Sequence, residues 1–141
     1  MKPLIHTSSG NFIIAQYILM NDLDEILVEV RDNGSICIPG DYVLDDDAVD
    51  SHDYDSVAVS SVDRLLKSSL GISCDQKEHL CIGLHIEEDK QFNCHFVVCR
   101  GWNGDVPKRN KKDIRLMWVN RMFAKNLLTD AVDKDALEKL K

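Results

Sequence analysis

One amphipathic helix set among strands governs what this chain can become. Between Val57 and Leu70 the apolar residues Ala58, Val62, Leu65, Leu66 and Leu70 recur with the period of a helix that buries one face. Asp55 or Ser56 can cap its start, and Gly71 stands where a left-handed residue commonly closes a helix. Three strands precede it, up to residue 40. Residues 10–20 are β-branched and aromatic, Asn21-Asp22 breaks the run, and residues 25–31 resume it. Asp32-Asn33-Gly34 is a strong turn signal, followed by a short strand at 35–38 that ends at Pro39-Gly40. Beyond the helix, residues 80–86 and 92–102 form a hairpin about the polar turn 87–90, and residues 114–119 give a last short strand. Residues 120–129 and 133–141 close the chain as helices, the second with Asp133 as its N-cap. The order is strands, helix, strands, helices: a mixed α+β fold rather than a regular βαβ alternation.

The 141 residues suit a single domain spanning 1–141, and 44% apolar content is enough for one core. A net charge of −7 argues against duplex nucleic acid and anionic lipid, which need clustered positive charge. No window approaches the ~18 consecutive apolar residues of a membrane span. The opening Met-Lys-Pro-Leu-Ile-His runs into polar Thr7-Ser8-Ser9, with no signal-peptide core, so the expectation is a cytoplasmic protein. The five cysteines, at 37, 74, 81, 94 and 99, show no paired zinc spacing and sit mostly in apolar runs, as reduced buried thiols do. Residues 41–56 differ from the rest: they hold seven Asp and no Lys or Arg. Such a run is a solvated loop unless a cation gathers it.

The order of these pieces resembles the Nudix superfamily, whose box reads G-x5-E-x7-R-E-U-x-E-E-x-G-U, with U aliphatic. Ile38-Pro39-Gly40 is similar to the start of that box, and Arg64 to Ile72 aligns with its helical half. His95-Phe-Val-Val and Asp113 followed by Ile114-Arg-Leu-Met-Trp-Val resemble later strands of the family. The resemblance implies an α/β/α sandwich with a mixed β-sheet, and hydrolysis of a nucleoside diphosphate linked to another group with Mg²⁺ or Mn²⁺.

The departures bear on the chemistry. The family places three carboxylates on one helix face at i, i+3 and i+4, where they hold the metal. Here Leu65, Ser68 and Ser69 occupy those positions, and none offers the anionic oxygen a hard dication requires. These three are expected to line a cleft beside the helix. The loop from Gly40 to Arg64 is longer than the family's, and the Glu expected before the Arg falls at Ser56, beside Asp55. There is a weaker likeness to GDP-mannose mannosyl hydrolases, which also carry Leu after the box Arg but keep a Glu where this chain has Ser69.

Each candidate has two readings. Arg64 either braces a catalytic carboxylate, as in the family, or forms a salt bridge into the acidic loop. Asp45, Asp46, Asp47 and Asp55, with Asp50, His52 and Asp53, are either replacement metal ligands or a solvated cluster. Asp113 is a late carboxylate base or a surface turn. Gly40, with its carbonyl, lies where substrate is held; His95 is a substrate contact or a hydrogen-bonded core histidine; Trp102 stacks a base or packs. Lys108 and Arg109, in a basic loop with Lys111 and Lys112, meet phosphates or water. Two functions follow: a Nudix-fold protein of weak or lost activity that binds a nucleotide-type small molecule, an RNA end or a protein partner, or an active hydrolase fed by ligands from Asp45 to Asp55.

Overall fold

The computed structural model describes residues 2–48, 53–111 and 114–140. Strands β1 (Phe12–Leu19), β2 (Glu25–Arg31), β3 (Ile36–Cys37) and β4 (Gly40–Tyr42) precede helix α1 (Tyr54–Leu65). Strands β5 (Ser73–Glu87), β6 (Lys90–Asn103), β7 (Arg109–Lys111) and β8 (Ile114–Asn120) follow it, then helices α2 (Arg121–Leu127) and α3 (Ala131–Glu138). They form two four-stranded sheets, ordered β4-β1-β6-β5 and β3-β2-β8-β7. The first is mixed, because β1 runs parallel to β6 and antiparallel to β4. No helix among the described residues is long and apolar enough to cross a membrane.

Two-residue alternation divides the mixed sheet into two buried faces. From β1, Ile13, Ala15, Tyr17 and Leu19 join Val97 and Cys99 of β6 in a core that packs on α1. The intervening Ile18, with Phe92, Cys94, Phe96 and Val98 of β6, packs on the other side against Ala124, Leu128, Ala136 and Leu137 of the closing helices. Each buried Val, Leu or Phe in these layers is worth about 1.5–3 kcal/mol.

The helix buries Val57, Ala58, Ser61, Val62 and Leu65, and its stripe continues through Leu66 and Leu70. It starts earlier than the periodicity predicts. Tyr54 already belongs to it, stacking on His6 at 4.4 Å between centroids, so the N-cap is Asp53 rather than Asp55 or Ser56. Asp53 accepts from the Asp55 N–H at 3.1 Å and the Ser56 hydroxyl at 2.9 Å. Residues Leu66–Leu70 close as a π turn, and Gly71 ends it in the left-handed region at φ 67°.

Three further differences have local causes. Strand β4 was not expected, because Gly40-Asp41-Tyr42 has the composition of a turn. Strand β5 begins at Ser73 rather than residue 80, because an edge strand tolerates a polar half. Helix α3 begins at Ala131 with Asp130 at the cap, which moves Asp133 from the expected cap into a buried position on the helix.

A nucleotide-sized cleft and a converted box helix

A cleft of about 350 Å³ opens on the face of the mixed sheet that carries α3. Alternation sends Ile14 and Gln16 of β1 and Phe92 and Cys94 of β6 into it; Gly40 and Tyr42 of β4 form one wall. Gly40 is dictated by space: a Cβ there would lie 2.3 Å from the Ala15 carbonyl oxygen and 2.7 Å from Gln16 Cα. The aromatic side is continuous, since Phe92 lies 5.9 Å from Phe12 and 6.3 Å from Tyr42 between centroids. Arg31, His85 and Val132, with the acids Asp41, Glu87 and Asp130, stand around the rest of the lining.

The polar floor of this cleft is Asp133, only 1% exposed. One carboxylate oxygen accepts from Gln16 Nε2 at 3.0 Å, and the other accepts from the Ile38 N–H at 3.0 Å. Gln16 Nε2 also donates to the Ile38 carbonyl at 3.0 Å. Burial pushes the Asp133 carboxyl up to about 6, the Asp130 charge adding to it, against the two hydrogen bonds it accepts. Asp130 and Asp133 stand with Cys37 in one cluster of potential ligands. Burial pushes that thiol up to about 11 despite the Arg31 charge, so without a metal it stays protonated at neutral pH.

The box helix serves a different purpose. Leu65 is 3% exposed and sits in the core under α1, while Ser68 is exposed and Ser69 half-buried; none of the three lines this cleft. Ser68 Oγ donates to the Leu65 carbonyl at 3.4 Å. These residues do not fit Mg²⁺ or Mn²⁺, which want several anionic oxygens at 2.0–2.2 Å. Arg64 grips Asp47 with both arms: Nε to Oδ1 at 3.0 Å and Nη2 to Oδ2 at 3.0 Å, with Nη2 also reaching the Tyr42 carbonyl at 3.0 Å. Asp47 Oδ2 further accepts from Ser61 Oγ at 3.0 Å and the Leu44 N–H at 2.8 Å. Partial burial works against its charge, but these bonds and the guanidinium hold its carboxyl below the usual carboxylate value. Its oxygens are committed to protein donors, so Asp47 is a brace rather than a metal ligand. Asp45 and Asp46 lie exposed in a 3-10 turn, and among the described residues the loop acids do not converge with Asp55 on one point. Asp50, His52 and Asp113 lie outside the described residues.

The remaining expected binding residues are elsewhere. His95 is 1% exposed and faces α1, away from the cleft, with its Nδ1 2.9 Å from His79 Nε2. Burial, and then the neighbouring His79, push it down to about 4 despite Asp55, so its ring is neutral at pH 7. Trp102 stacks on Trp118 at 5.8 Å and donates from Nε1 to the Met20 carbonyl at 2.9 Å; it packs rather than faces the cleft. Lys108 and Arg109 do not line the cleft either. The basic residues that do line it are Arg31 and His85, which no local pattern singles out.

No family model matches the sequence, and no curated protein is detectably similar to it. Solved structures are. A mutator MutT protein from Bacillus halodurans superposes with a TM-score of 0.70 at 17% identity, covering 89% of this chain and 79% of that one. A MutT Nudix hydrolase from Burkholderia pseudomallei gives 0.66 at 20% identity, covering 92% and 97%. The Nudix domain of NrtR from Shewanella oneidensis, crystallised with ADP-ribose, gives 0.62 at 14% identity over 93% and 86%. The chain has the Nudix fold, with its mixed sheet between helices.

Proposed function

We propose that this protein binds a nucleoside diphosphate derivative in the α3-side cleft and hydrolyses it weakly or not at all. The buried Asp133–Gln16–Ile38 constellation carries the reading. Its members hydrogen-bond one another and so fix the floor of an aromatic-walled cleft on which a planar base can stack. Arg31 at the rim supplies positive charge for phosphate oxygens. The ADP-ribose seen with the NrtR Nudix domain supports the ligand class, since that domain shares the fold.

Low activity follows from the chemistry of the donors. Where the family holds its metal, this chain has an alkyl chain and two hydroxyls. The acidic loop offers Mg²⁺ no array of carboxylates among its described residues, because Asp47 is spent on Arg64 and Asp55 faces two histidines. Five free thiols fit a reducing compartment such as the cytoplasm.

Calorimetric titration with ADP-ribose and with ADP tests the ligand class, with product analysis in Mg²⁺ and Mn²⁺ testing turnover. Binding should weaken ~5–150-fold in Asp133→Ala, the loss expected for a buried polar partner left unmatched. Unchanged affinity in that variant would remove the cleft from the account. Rapid metal-dependent turnover by the wild type would restore the hydrolase reading.

A further inference from the structure

We propose that Asp55, His79 and His95 form a binding site for a borderline transition-metal dication, Zn²⁺ above all, on the sheet face opposite the cleft. The three residues come from three elements. Asp55 lies in the first turn of α1, His79 on the edge strand β5, and His95 on β6. His79 pairs with Val97 across the β5–β6 ladder, so it shares the α1-facing side with His95, two residues away on β6. A bulge between His79 and Cys81 keeps that arrangement local: past it, Cys81 turns toward the other core while His79 stays under α1.

The donor atoms converge. Asp55 Oδ1 lies 3.4 Å from His79 Nε2 and 3.5 Å from His95 Nδ1, and the two nitrogens are 2.9 Å apart. A tetrahedral zinc ion with bonds of about 2.0–2.1 Å holds its ligand atoms about 3.3–3.4 Å apart. Two edges of the triangle already have that length. The third must open by about 0.4 Å, within the reach of a side-chain rotation at His79. Without an ion, two imidazole nitrogens and a carboxylate oxygen face one another, and only a hydrogen between the rings relieves their lone pairs. With an ion, that hydrogen moves to the other nitrogen of its own ring, and all three lone pairs have a partner.

The donor set selects the metal. Two imidazoles and one carboxylate suit Zn²⁺, Co²⁺ or Ni²⁺, whereas Mg²⁺ and Ca²⁺ want oxygen throughout. His95 is held rigid by the core, so one ligand is oriented before binding. Asp55 is 51% exposed, which gives the ion a route in and leaves room for water as a fourth ligand.

The test uses the full chain after chelator treatment. Zn²⁺ alone, titrated by calorimetry, should bind at one equivalent and raise the thermal midpoint. Co²⁺ alone should give the intense visible bands of a four-coordinate ion. Asp55→Asn and His79→Gln, both at accessible positions and expected to fold, should each weaken Zn²⁺ by at least ~100-fold and abolish the cobalt spectrum, since even outer-shell changes at metal sites cost 10–100-fold. Asp46→Asn, on the 3-10 turn, should change neither. Zn²⁺ binding that survives both ligand variants, or a folded wild type that takes up no Zn²⁺ and gives only an octahedral Co²⁺ spectrum, would overturn the proposal and leave the cluster a hydrogen-bonded relay.

Discussion

The two faces of the mixed sheet differ in what their side chains do. On the α3 side, Asp133 is buried at a real electrostatic cost and held by Gln16 and the Ile38 N–H, inside a cleft it shares with Tyr42 and Phe92. On the α1 side, the positions that would present a carboxylate array hold a core leucine and two serines. A buried acid is expensive unless it is hydrogen-bonded, and Asp133 meets that need by joining α3 to Gln16 and the Ile38 N–H at the cleft floor. A leucine sunk in a core points to packing. The α3 face is an open polar cleft, whereas the α1 face at these positions is helix-on-sheet contact. Arg64 belongs to the second: its guanidinium ties the acidic loop to the helix through Asp47.

The largest effect should come from forcing the α1 face back toward chemistry. Leu65 is 3% exposed among Val62, Leu66 and the β1 side chains of the same core. Leu65→Glu removes that packing and puts an unpaired carboxylate in its place, so unfolding free energy should fall by about 3–5 kcal/mol. Urea melts at pH 7 would show it. A loss below about 1 kcal/mol would mean that position 65 can swing to solvent and that the contrast between faces is overdrawn.

Next comes the acid on the opposite face. Burial raises Asp133 from its ordinary 3.8 to about 6, so the folded state keeps this proton longer than the unfolded chain. The sign follows: the stability this proton confers is fully present below about pH 4 and is lost as pH rises through about 6. At 1.36 kcal/mol per unit, that is about 3 kcal/mol. Asp133→Asn does not titrate. Its stability relative to wild type should therefore climb by about 3 kcal/mol between pH 4 and pH 8, measured as a series of denaturant melts. Parallel curves for the two proteins would show that Asp133 is no better buried than an ordinary surface acid.

How much of this contrast could be read in the sequence depends on the range of the interaction. Strand β2, the turn at 32–34, the 90–103 strand and the Gly71 stop were all set by neighbours within a few residues, and periodicity found them. The Gly40–Tyr42 strand was missed because its pairing partner, β1, lies some two dozen residues away and its own composition favours a turn. Arg31, His85 and Asp133 were missed as a group for the same reason: no local pattern brings residues from β2, β5 and α3 to one cleft. Asp133 fits a helix N-cap by residue type, and the local sequence predicts that role. What moved it was a helix starting two residues earlier, at Ala131. Arg64 and its acidic loop were legible as partners in kind, but which Asp would take the guanidinium required the 3-10 turn that aims Asp47 at it.

The smallest effect sharpens the comparison most. Ser68 is exposed and Ser69 half-buried, beyond the point where α1 relaxes into its π turn. The double change Ser68→Glu with Ser69→Glu adds two charges at or near solvent, next to Lys67, and should alter stability by less than ~0.5 kcal/mol per site. In the family's geometry these two carboxylates would be most of a metal site. Here the third position of the array is Leu65, turned into the core, and two carboxylates alone bind Mg²⁺ only weakly, since the ion gives up its water reluctantly. Calorimetric Mg²⁺ titration of the double variant should therefore show no binding beyond that of the wild type, and turnover of ADP-ribose should not appear. Tight Mg²⁺ binding, or hydrolysis gained by these two substitutions alone, would mean that the α1 face is still a catalytic scaffold lacking only its side chains. Its conversion to packing would then be two codons deep, rather than built into the core at Leu65.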